Sequence, residues 1–165
     1  MPRSFLLLCI VFATVARNGL AQATVLVEPT NLQGSRPLPE QTGAAAIRDY
    51  LQSWRSLNAA FEQNRTDLLD PSFVGTARDK LAQTIQQQAT LGISVRYQDR
   101  SHDLQIVFYS PDGLSIELTD KVVYDAQLLD HGRVKTTQHL NARYVIVVTP
   151  AEVRWRVRVF QADNE

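Results

Sequence analysis

The chain has 165 residues, and its 17 basic and 17 acidic side chains give a formal net charge of zero at neutral pH. This balance argues against nucleic acid as a partner, because nucleic-acid-binding proteins concentrate positive charge. Cys9 is the only cysteine, which excludes an internal disulfide and a cysteine-rich zinc site.

The first 23 residues have the pattern of a secretory signal peptide. Met1-Pro2-Arg3 is a short basic start, FLLLCIVFATV is an apolar run, and Ala21-Gln22-Ala23 matches an A-x-A cleavage site. The apolar run, from Phe5 to Val15, is too short to span a bilayer. We therefore predict an exported protein, periplasmic or secreted, with no membrane span.

Residues 24–41 are predicted to form an exposed linker, because they show no hydrophobic periodicity and contain Pro29, Gly34, Ser35, Pro37 and Pro39. Residues 42–163 are then predicted to form one domain. About 142 residues follow the cleavage site, which is enough for a substantial core.

Two helices are predicted at the start of this domain. Over residues 42–63, apolar side chains recur at helical spacing, namely Ile47, Tyr50, Leu51, Trp54, Leu57 and Phe61. Tyr50 and Trp54 are open to two interpretations, as lining of a ligand pocket or as ordinary core residues. A second stripe runs from Val74 to Ala89, and Gly92 follows as a stop signal.

From Ile93 onward the apolar period changes to two, which indicates β-strands. We predict strands over 93–109, 114–128, 133–149 and 153–161. Because short turns connect them, neighbouring strands should be antiparallel. The expected fold class is α+β, with the N-terminal helices packed on a curved four-stranded antiparallel meander that forms a cystatin-like cone.

Asp120 interrupts the apolar face of the second strand, which otherwise reads Leu114, Ile116, Leu118, Val122, Tyr124. A three-residue turn at Pro111-Asp112-Gly113 would place Leu104 opposite Asp120 and Phe108 opposite Ile116. His102 would then be a diagonal neighbour of Asp120. Val95 and Tyr97 have the opposite parity to Leu104, so a β-bulge is predicted within 98–103.

The inward face becomes polar toward one end of the sheet, which is typical of an open-mouthed small-molecule site. The predicted ligand-binding residues are Tyr50, Trp54, Asp120, Tyr124, Gln138 and Tyr144. Asp120 and His102 are the catalytic candidates, as a base and its partner. In the competing interpretation, Asp120 lies at a frayed sheet rim or pairs with an arginine such as Arg143 or Arg48.

The last strand carries Arg154, Arg156 and Arg158 at alternate positions, opposite in direction to Val153 and Val157. A turn at 149–152 would set Arg156 beside Val145 and Arg158 beside Arg143. Arginine mixed with apolar residues is typical of a protein interface, so these arginines are predicted to form a partner surface, including that of a homodimer. A solvated face is the alternative.

Three segments resemble the nuclear transport factor 2-like superfamily over residues 42–161. They are IRDYLQSWRSLNAAF in the first helix, LLDPSFVGTARDKLAQTI after it, and ARYVIVVTPAEVRWRVRVF at the end. The superfamily includes SnoaL-like cyclases, ketosteroid isomerases and Tim44-like domains. The resemblance implies helices in the concavity of a curved sheet, used in some members as an active site and in others as a binding or dimerisation scaffold.

Three functions stay open from the sequence. The first is an exported, non-catalytic module that binds a small apolar or amphipathic ligand or a protein partner. The second is an isomerase- or cyclase-like enzyme in which Asp120 is the base and Tyr124 or Tyr144 is a donor. The third is a structural domain of an envelope assembly. No phosphate loop or metal-ligand spacing occurs, so we expect no cofactor and no metal.

Overall fold

The computed structural model of the protein describes residues 22–34 and 36–163. Helices α1 and α2 span Glu40–Gln63 and Gly75–Thr90, and a short 3-10 helix, Thr66–Leu69, lies between them. The five strands are β1 (Thr24–Val27), β2 (Ile93–Tyr109), β3 (Ile116–Asp130), β4 (Arg133–Ala151) and β5 (Arg154–Ala162). They form one sheet in the order β1-β2-β3-β4-β5. The expected signal peptide lies almost entirely outside the described residues.

The α+β class and the helices-then-meander order are confirmed, but the expectation of a four-stranded, wholly antiparallel sheet is wrong. β1 pairs in parallel with β2, from Thr24 opposite Ser101 to Val27 opposite Leu104. The chain after β1 continues along the same edge, where the Glu28 amide donates to the Leu104 carbonyl at 2.8 Å. The segment assigned to a linker therefore contributes a strand. Proline-rich composition concealed it, because edge strands tolerate residues that interior strands exclude.

The β2–β3 register agrees with the sequence at its centre and departs from it near the turn. Leu104 lies opposite Asp120, as predicted, and the predicted bulge lies between Asp99 and Ser101. A second bulge, at Val107, was not predicted, and it sets Phe108 opposite Glu117 instead of Ile116.

The cause of this departure is a longer turn than the three-residue one expected. The Ser110 hydroxyl accepts hydrogen bonds from the amides of Leu114 and Ser115, at 3.1 and 2.9 Å. This side-chain bonding closes a loop over residues 110–115, a local alternative to ladder pairing that serine favours.

The predicted β4–β5 register is wrong. β4 continues to Ala151, and the turn contains only Glu152 and Val153, so Arg156 lies opposite Thr149 and not Val145. Val153, predicted to point inward, is 85% exposed in this turn. A bulge between Val147 and Val148 then reverses the alternation along β5, because an extra residue shifts every later side chain to the other face.

The core lies between the two helices and the concave sheet face. From α1 it takes the face predicted by helical spacing, and the sheet supplies alternate residues of β2, β3 and β4. Its largest fully buried side chains include Tyr50, Phe73, Ile85, Leu104, Leu118 and Ile146. Among the described residues, no helix combines the length and the apolar character needed to cross a membrane.

Helix α1 is also tied to the start of β5 by a hydrogen bond. The Trp155 amide donates to Asp49 Oδ2 at 2.8 Å, and the Asp49 side chain is only 12% exposed. This contact holds the N-terminal half of the helix against the β5 edge of the sheet.

Replacement of Asp49 with alanine should lower the free energy of unfolding by about 1–2 kcal/mol, because the half-buried Trp155 amide loses its acceptor. Asp49→Asn keeps an oxygen at the same position and should retain most of the stability. Urea unfolding of the two variants measures the difference, and equal losses would mean that the hydrogen bond is unimportant.

Candidate functional site

Asp120 lies at the centre of the sheet, between Leu104 of β2 and Tyr144 of β4, and its side chain is fully buried. Its Oδ2 atom accepts a hydrogen bond from the Tyr50 hydroxyl at 2.8 Å and lies 2.7 Å from His102 Nδ1. Its Oδ1 atom is buried and has no hydrogen-bond partner among the described residues. Asp120 therefore lies neither at a frayed rim nor beside an arginine.

His102 is held between two carboxylates. Its Nδ1 faces Asp120, and its Nε2 lies 3.3 Å from Asp99 Oδ2. Residues three apart in a regular strand point to opposite faces, and the bulge at Arg100 supplies the extra residue that lets both Asp99 and His102 point inward. The bulge therefore brings the Asp99 and His102 side chains together on the inward face of β2.

The charges of this arrangement follow from its contacts. Burial lowers the pKa of His102, but hydrogen bonds to Asp120 and Asp99 outweigh it and raise that pKa from 6.5 to about 9. The hydrogen bond from His102 lowers the pKa of Asp99 below its ordinary value. At neutral pH, His102 is therefore an imidazolium between two carboxylates.

Helix α1 closes this arrangement from the other side. The Trp54 indole donates to the Tyr50 hydroxyl at 2.9 Å, and that hydroxyl donates to Asp120. The i, i+4 spacing on α1 stacks the two rings on one helix face. Burial, followed by the Asp120 charge, raises the pKa of Tyr50 well above its ordinary range. We refer to Asp99, His102, Asp120, Tyr50 and Trp54 as the buried polar cluster.

A cavity of about 210 Å³ lies on the other side of Trp54. Its wall is mostly aromatic and contains no charged side chain. The lining residues are Trp54, Leu57, Phe61, Leu81, Thr84, Tyr97, Tyr124, Tyr144 and Phe160. We refer to this space as the aromatic cavity.

Four side chains of the cavity lining carry hydroxyl groups, namely Thr84, Tyr97, Tyr124 and Tyr144. The hydroxyls of Tyr124 and Tyr144 lie 3.1 Å apart and share a hydrogen bond. Burial raises the pKa of Tyr97 to about 12 and that of Tyr144 still further, so these phenols stay protonated. Tyr144 also stacks on Phe160, with ring centroids 4.6 Å apart.

Trp54 separates the cavity from the charges. Its ring meets the edge of His102 at a centroid distance of 5.2 Å, and the rings of Tyr124 and Tyr144 lie 6.0 and 5.9 Å away on the cavity side. Asp120 and His102, respectively 0% and 2% exposed, do not line the cavity. The predicted site residues are thus divided into two adjoining groups that share one indole.

The predicted set differs from this arrangement in several members. Tyr50 lies in the polar cluster and not on the cavity wall, and Gln138 is exposed on β4 and reaches neither group. In the polar cluster Asp99 was missed, and in the cavity wall the missed residues were Leu57, Phe61, Leu81, Thr84, Tyr97 and Phe160. Asp99 lies within the segment predicted to bulge, and its position three residues before His102 was a signal that both side chains could face inward. Phe160 could not be recognised as inward because the bulge in the β4–β5 pair was not predicted.

The three arginines of β5 do not form one ladder. Arg154 is exposed, whereas Arg156 is half-buried and its Nε has no hydrogen-bond partner among the described residues. Arg158 lies at the β5 bulge, with its Cγ 3.7 Å from the place where a Cβ on Gly75 would stand. Its side chain therefore lies against the start of α2 and not beside Arg143.

No family model and no curated protein sequence matches the chain. Among solved structures, the intermembrane space region of the chloroplast protein ARC6 is similar over 77% of this chain and 98% of its own, with 16% identity and a TM-score of 0.61. A scytalone dehydratase-like protein from Novosphingobium aromaticivorans is similar over 76% and 89%, with 13% identity and a TM-score of 0.52. These similarities are consistent with a nuclear transport factor 2-like fold, and at such identities they concern the fold alone.

Because of the charged cluster, the free energy of unfolding should fall in both alkaline and acidic solution. The raised pKa of His102 stabilises the fold fully below 6.5, and this contribution should be lost as pH rises through about 9. The free energy of unfolding should fall by at most about 1.4 kcal/mol per pH unit within that window. The lowered pKa of Asp99 stabilises the fold above the ordinary aspartate value and should be lost in acid.

Urea unfolding from pH 6 to 10 measures this dependence. His102→Gln, which carries no titrating proton, should flatten the alkaline decline whatever its effect on absolute stability. An unchanged slope in that variant would mean that another group causes the decline.

Proposed function

We propose that this chain is a non-catalytic binding module whose aromatic cavity takes a small, neutral, single-ring aromatic ligand. The observation that carries the proposal is a cavity of about 210 Å³ walled mostly by aromatic rings, with a hydrogen-bonded pair of tyrosine hydroxyls among its polar groups. A dry cavity of about 150 Å³ suffices for benzene in another protein. The volume here therefore suits one ring with a few substituents.

The chemistry of the wall limits the ligand further. A charged ligand would lose its hydration without gaining an opposite charge, which is costly. The Tyr124–Tyr144 pair uses one of its two protons internally and keeps the other, together with oxygen lone pairs, for a ligand. A phenol or an aromatic carbonyl compound satisfies this pair, and the remaining rings offer edge-to-face contacts.

The polar cluster supports a binding role over a catalytic one because of where it lies. A general base must come within hydrogen-bond reach of the proton that it removes. Trp54 stands between the cavity and His102, and Tyr50 covers Asp120 from the helix side. In this proposal the cluster holds Trp54 in place through Tyr50 and so sets the shape of the cavity wall.

Binding of p-cresol, compared with toluene, tests the proposed pocket. Trp54 fluorescence reports occupancy in a Trp155→Phe background, since the chain has two tryptophans. Tyr144→Phe should lower the affinity for p-cresol by about five- to tenfold, which corresponds to the loss of one hydrogen bond. The affinity for toluene should stay almost unchanged. If the substitution weakened the binding of both ligands equally, the tyrosine pair would not be the group that binds the p-cresol hydroxyl.

A cavity-filling variant provides the matched control. Leu81→Phe places a ring in the cavity wall and should abolish binding of both ligands, whereas Leu91→Phe adds the same ring at a position that is 73% exposed. In the Trp155→Phe background both variants keep Trp54 as the only tryptophan, and binding that survives Leu81→Phe would contradict the proposal.

An isomerase- or cyclase-like enzyme is the second candidate, and one observation favours it. Asp120 Oδ1 is buried without a hydrogen-bond partner among the described residues, and such a group in a native protein calls for a functional explanation. Movement of Trp54 would be needed to bring a substrate to it.

Asp120→Asn separates the two candidates. The binding module should keep its p-cresol affinity within about threefold, because the substituted side chain lies behind the wall and its amide oxygen still accepts a hydrogen bond from Tyr50. An enzyme should lose turnover of its substrate by at least about a hundredfold, the contribution of a general base. Thermal unfolding of the variant checks that the fold survives the change.

The proposed site of action is outside the cytoplasm, on the strength of the N-terminal sequence pattern. A structural role in an envelope assembly is the remaining alternative, and the ARC6 region, itself from an intermembrane space, has a similar fold. Fractionation of cells that express the full chain, with mass measurement of the mature N-terminus, tests export and the predicted cleavage near Ala23.

A further inference from the structure

A second and larger depression lies along another face of α1. It measures about 1010 Å³ and runs between β1 and α1, with the β4–β5 turn at one end. Its apolar lining consists of Val25, Val27, Leu38, Ala44, Ile47, Leu51, Ile106 and Val153. We refer to it as the β1–α1 groove.

Part of this apolar lining is exposed to an unusual degree. Val25 and Val27 are 43% and 48% exposed, and Val153 at the end of the groove is 85% exposed. Contiguous apolar surface rimmed by polar groups is typical of an interaction site.

β1 gives the groove an open backbone edge. The strand pairs only with β2 among the described strands, and the Glu28 amide points toward β2. Because amide directions alternate along a strand, the backbone groups of Val25 and Val27 point away from the sheet. Their side chains face the groove, since they pair with the inward residues His102 and Leu104. An added strand would thus lie over the groove.

The charges on the groove wall favour an added strand that is acidic. Three arginines lie on the groove wall, Arg48 and Arg55 from α1 and Arg154 from β5. Of its two acidic residues, Asp49 pairs with Arg48 and accepts a hydrogen bond from the Trp155 amide. That leaves Arg55 and Arg154 against Glu40, so the wall carries one more guanidinium group than carboxylates, and guanidinium groups bind carboxylates well.

We propose that the β1–α1 groove binds an extended peptide segment of a partner protein that carries both apolar and acidic side chains. The segment adds a strand to the open edge of β1, places its apolar side chains on Val25 and Val27, and pairs its carboxylates with the arginine wall. This surface is separate from the aromatic cavity, and the proposal does not depend on the small-ligand function.

Fluorescence anisotropy tests the proposal with the purified protein and two labelled peptides of about eight residues. In the first, pairs of valine alternate with pairs of glutamate, so each face of the extended peptide carries both types. In the second, lysine replaces glutamate. The acidic peptide should bind, and the basic peptide should bind at least about tenfold more weakly.

Three variants connect the binding to the groove. Arg55→Glu combined with Arg154→Glu should weaken binding of the acidic peptide by at least about tenfold. Arg133→Glu combined with Lys80→Glu, two exposed positions outside the groove, should have little effect. Val27→Pro removes an outward amide at the open edge and should also weaken binding by about tenfold. Unchanged affinity in either groove variant overturns the proposal.

Two further results would overturn it in favour of another occupant. A dimer in native mass spectrometry that excludes the acidic peptide and is broken by the arginine reversals would assign the groove to a second copy of the chain. Binding to vesicles of anionic lipid, lost in the same variants, without binding of the acidic peptide would assign it to a membrane surface.

Discussion

The buried carboxylate of Asp120 is the constraint on which the rest of the structure depends. Removal of an ionised carboxylate from water costs several kcal/mol unless charge and hydrogen bonds replace the lost hydration. Here an imidazolium from β2 and a hydroxyl from α1 both reach its Oδ2 atom. That requirement fixes the rotation of α1 against the sheet, because Tyr50 must point at Asp120. Trp54, one turn later, then stands between the charges and the aromatic cavity.

The two halves of the site are therefore physically linked although they differ in character. One is a charged cluster sealed from solvent except at Asp99, whose side chain is 28% exposed. The other is an uncharged cavity bounded by aromatic rings. Trp54 belongs to both, since its indole nitrogen bonds to Tyr50 and its ring lines the cavity. A rigid wall loses less entropy when a ligand binds, so under the proposed binding function the buried charges have a structural role.

A fold of this kind does not determine what the protein does. One of the two similar solved structures is an intermembrane space region and the other a scytalone dehydratase-like protein, and their low identity to this chain gives no residue-level guide. We propose a neutral ring for the aromatic cavity and an acidic peptide for the β1 edge and the arginine wall, and these two surfaces lie on different faces of α1.

The sequence by itself determined the helix-then-meander order, the inward position of Asp120 and the bulge near residue 100. Each of these follows from local periodicity, which is a property of the chain alone. The pairing of Asp120 with Leu104 was predicted from a three-residue turn, and it holds because the unpredicted bulge at Val107 offsets the longer turn. The tertiary structure decided which side chains form hydrogen bonds with one another. Tyr50 is an ordinary helix-face aromatic in the sequence, and only the packing of α1 on β3 brings its hydroxyl to Asp120, 70 residues away.

The same reasoning explains the departures. The bulges at Val107 and in the β4–β5 pair each shift the alternation by one residue, so Phe160 points inward and Arg158 leaves the expected ladder. A bulge depends on how two distant strands meet, and turn residues alone do not fix that. β1 escaped detection because its pairing with β2 joins residues that are 77 apart in the chain. Alternation of apolar and polar residues can be recognised within one strand, whereas the register between strands depends on how two strands pair.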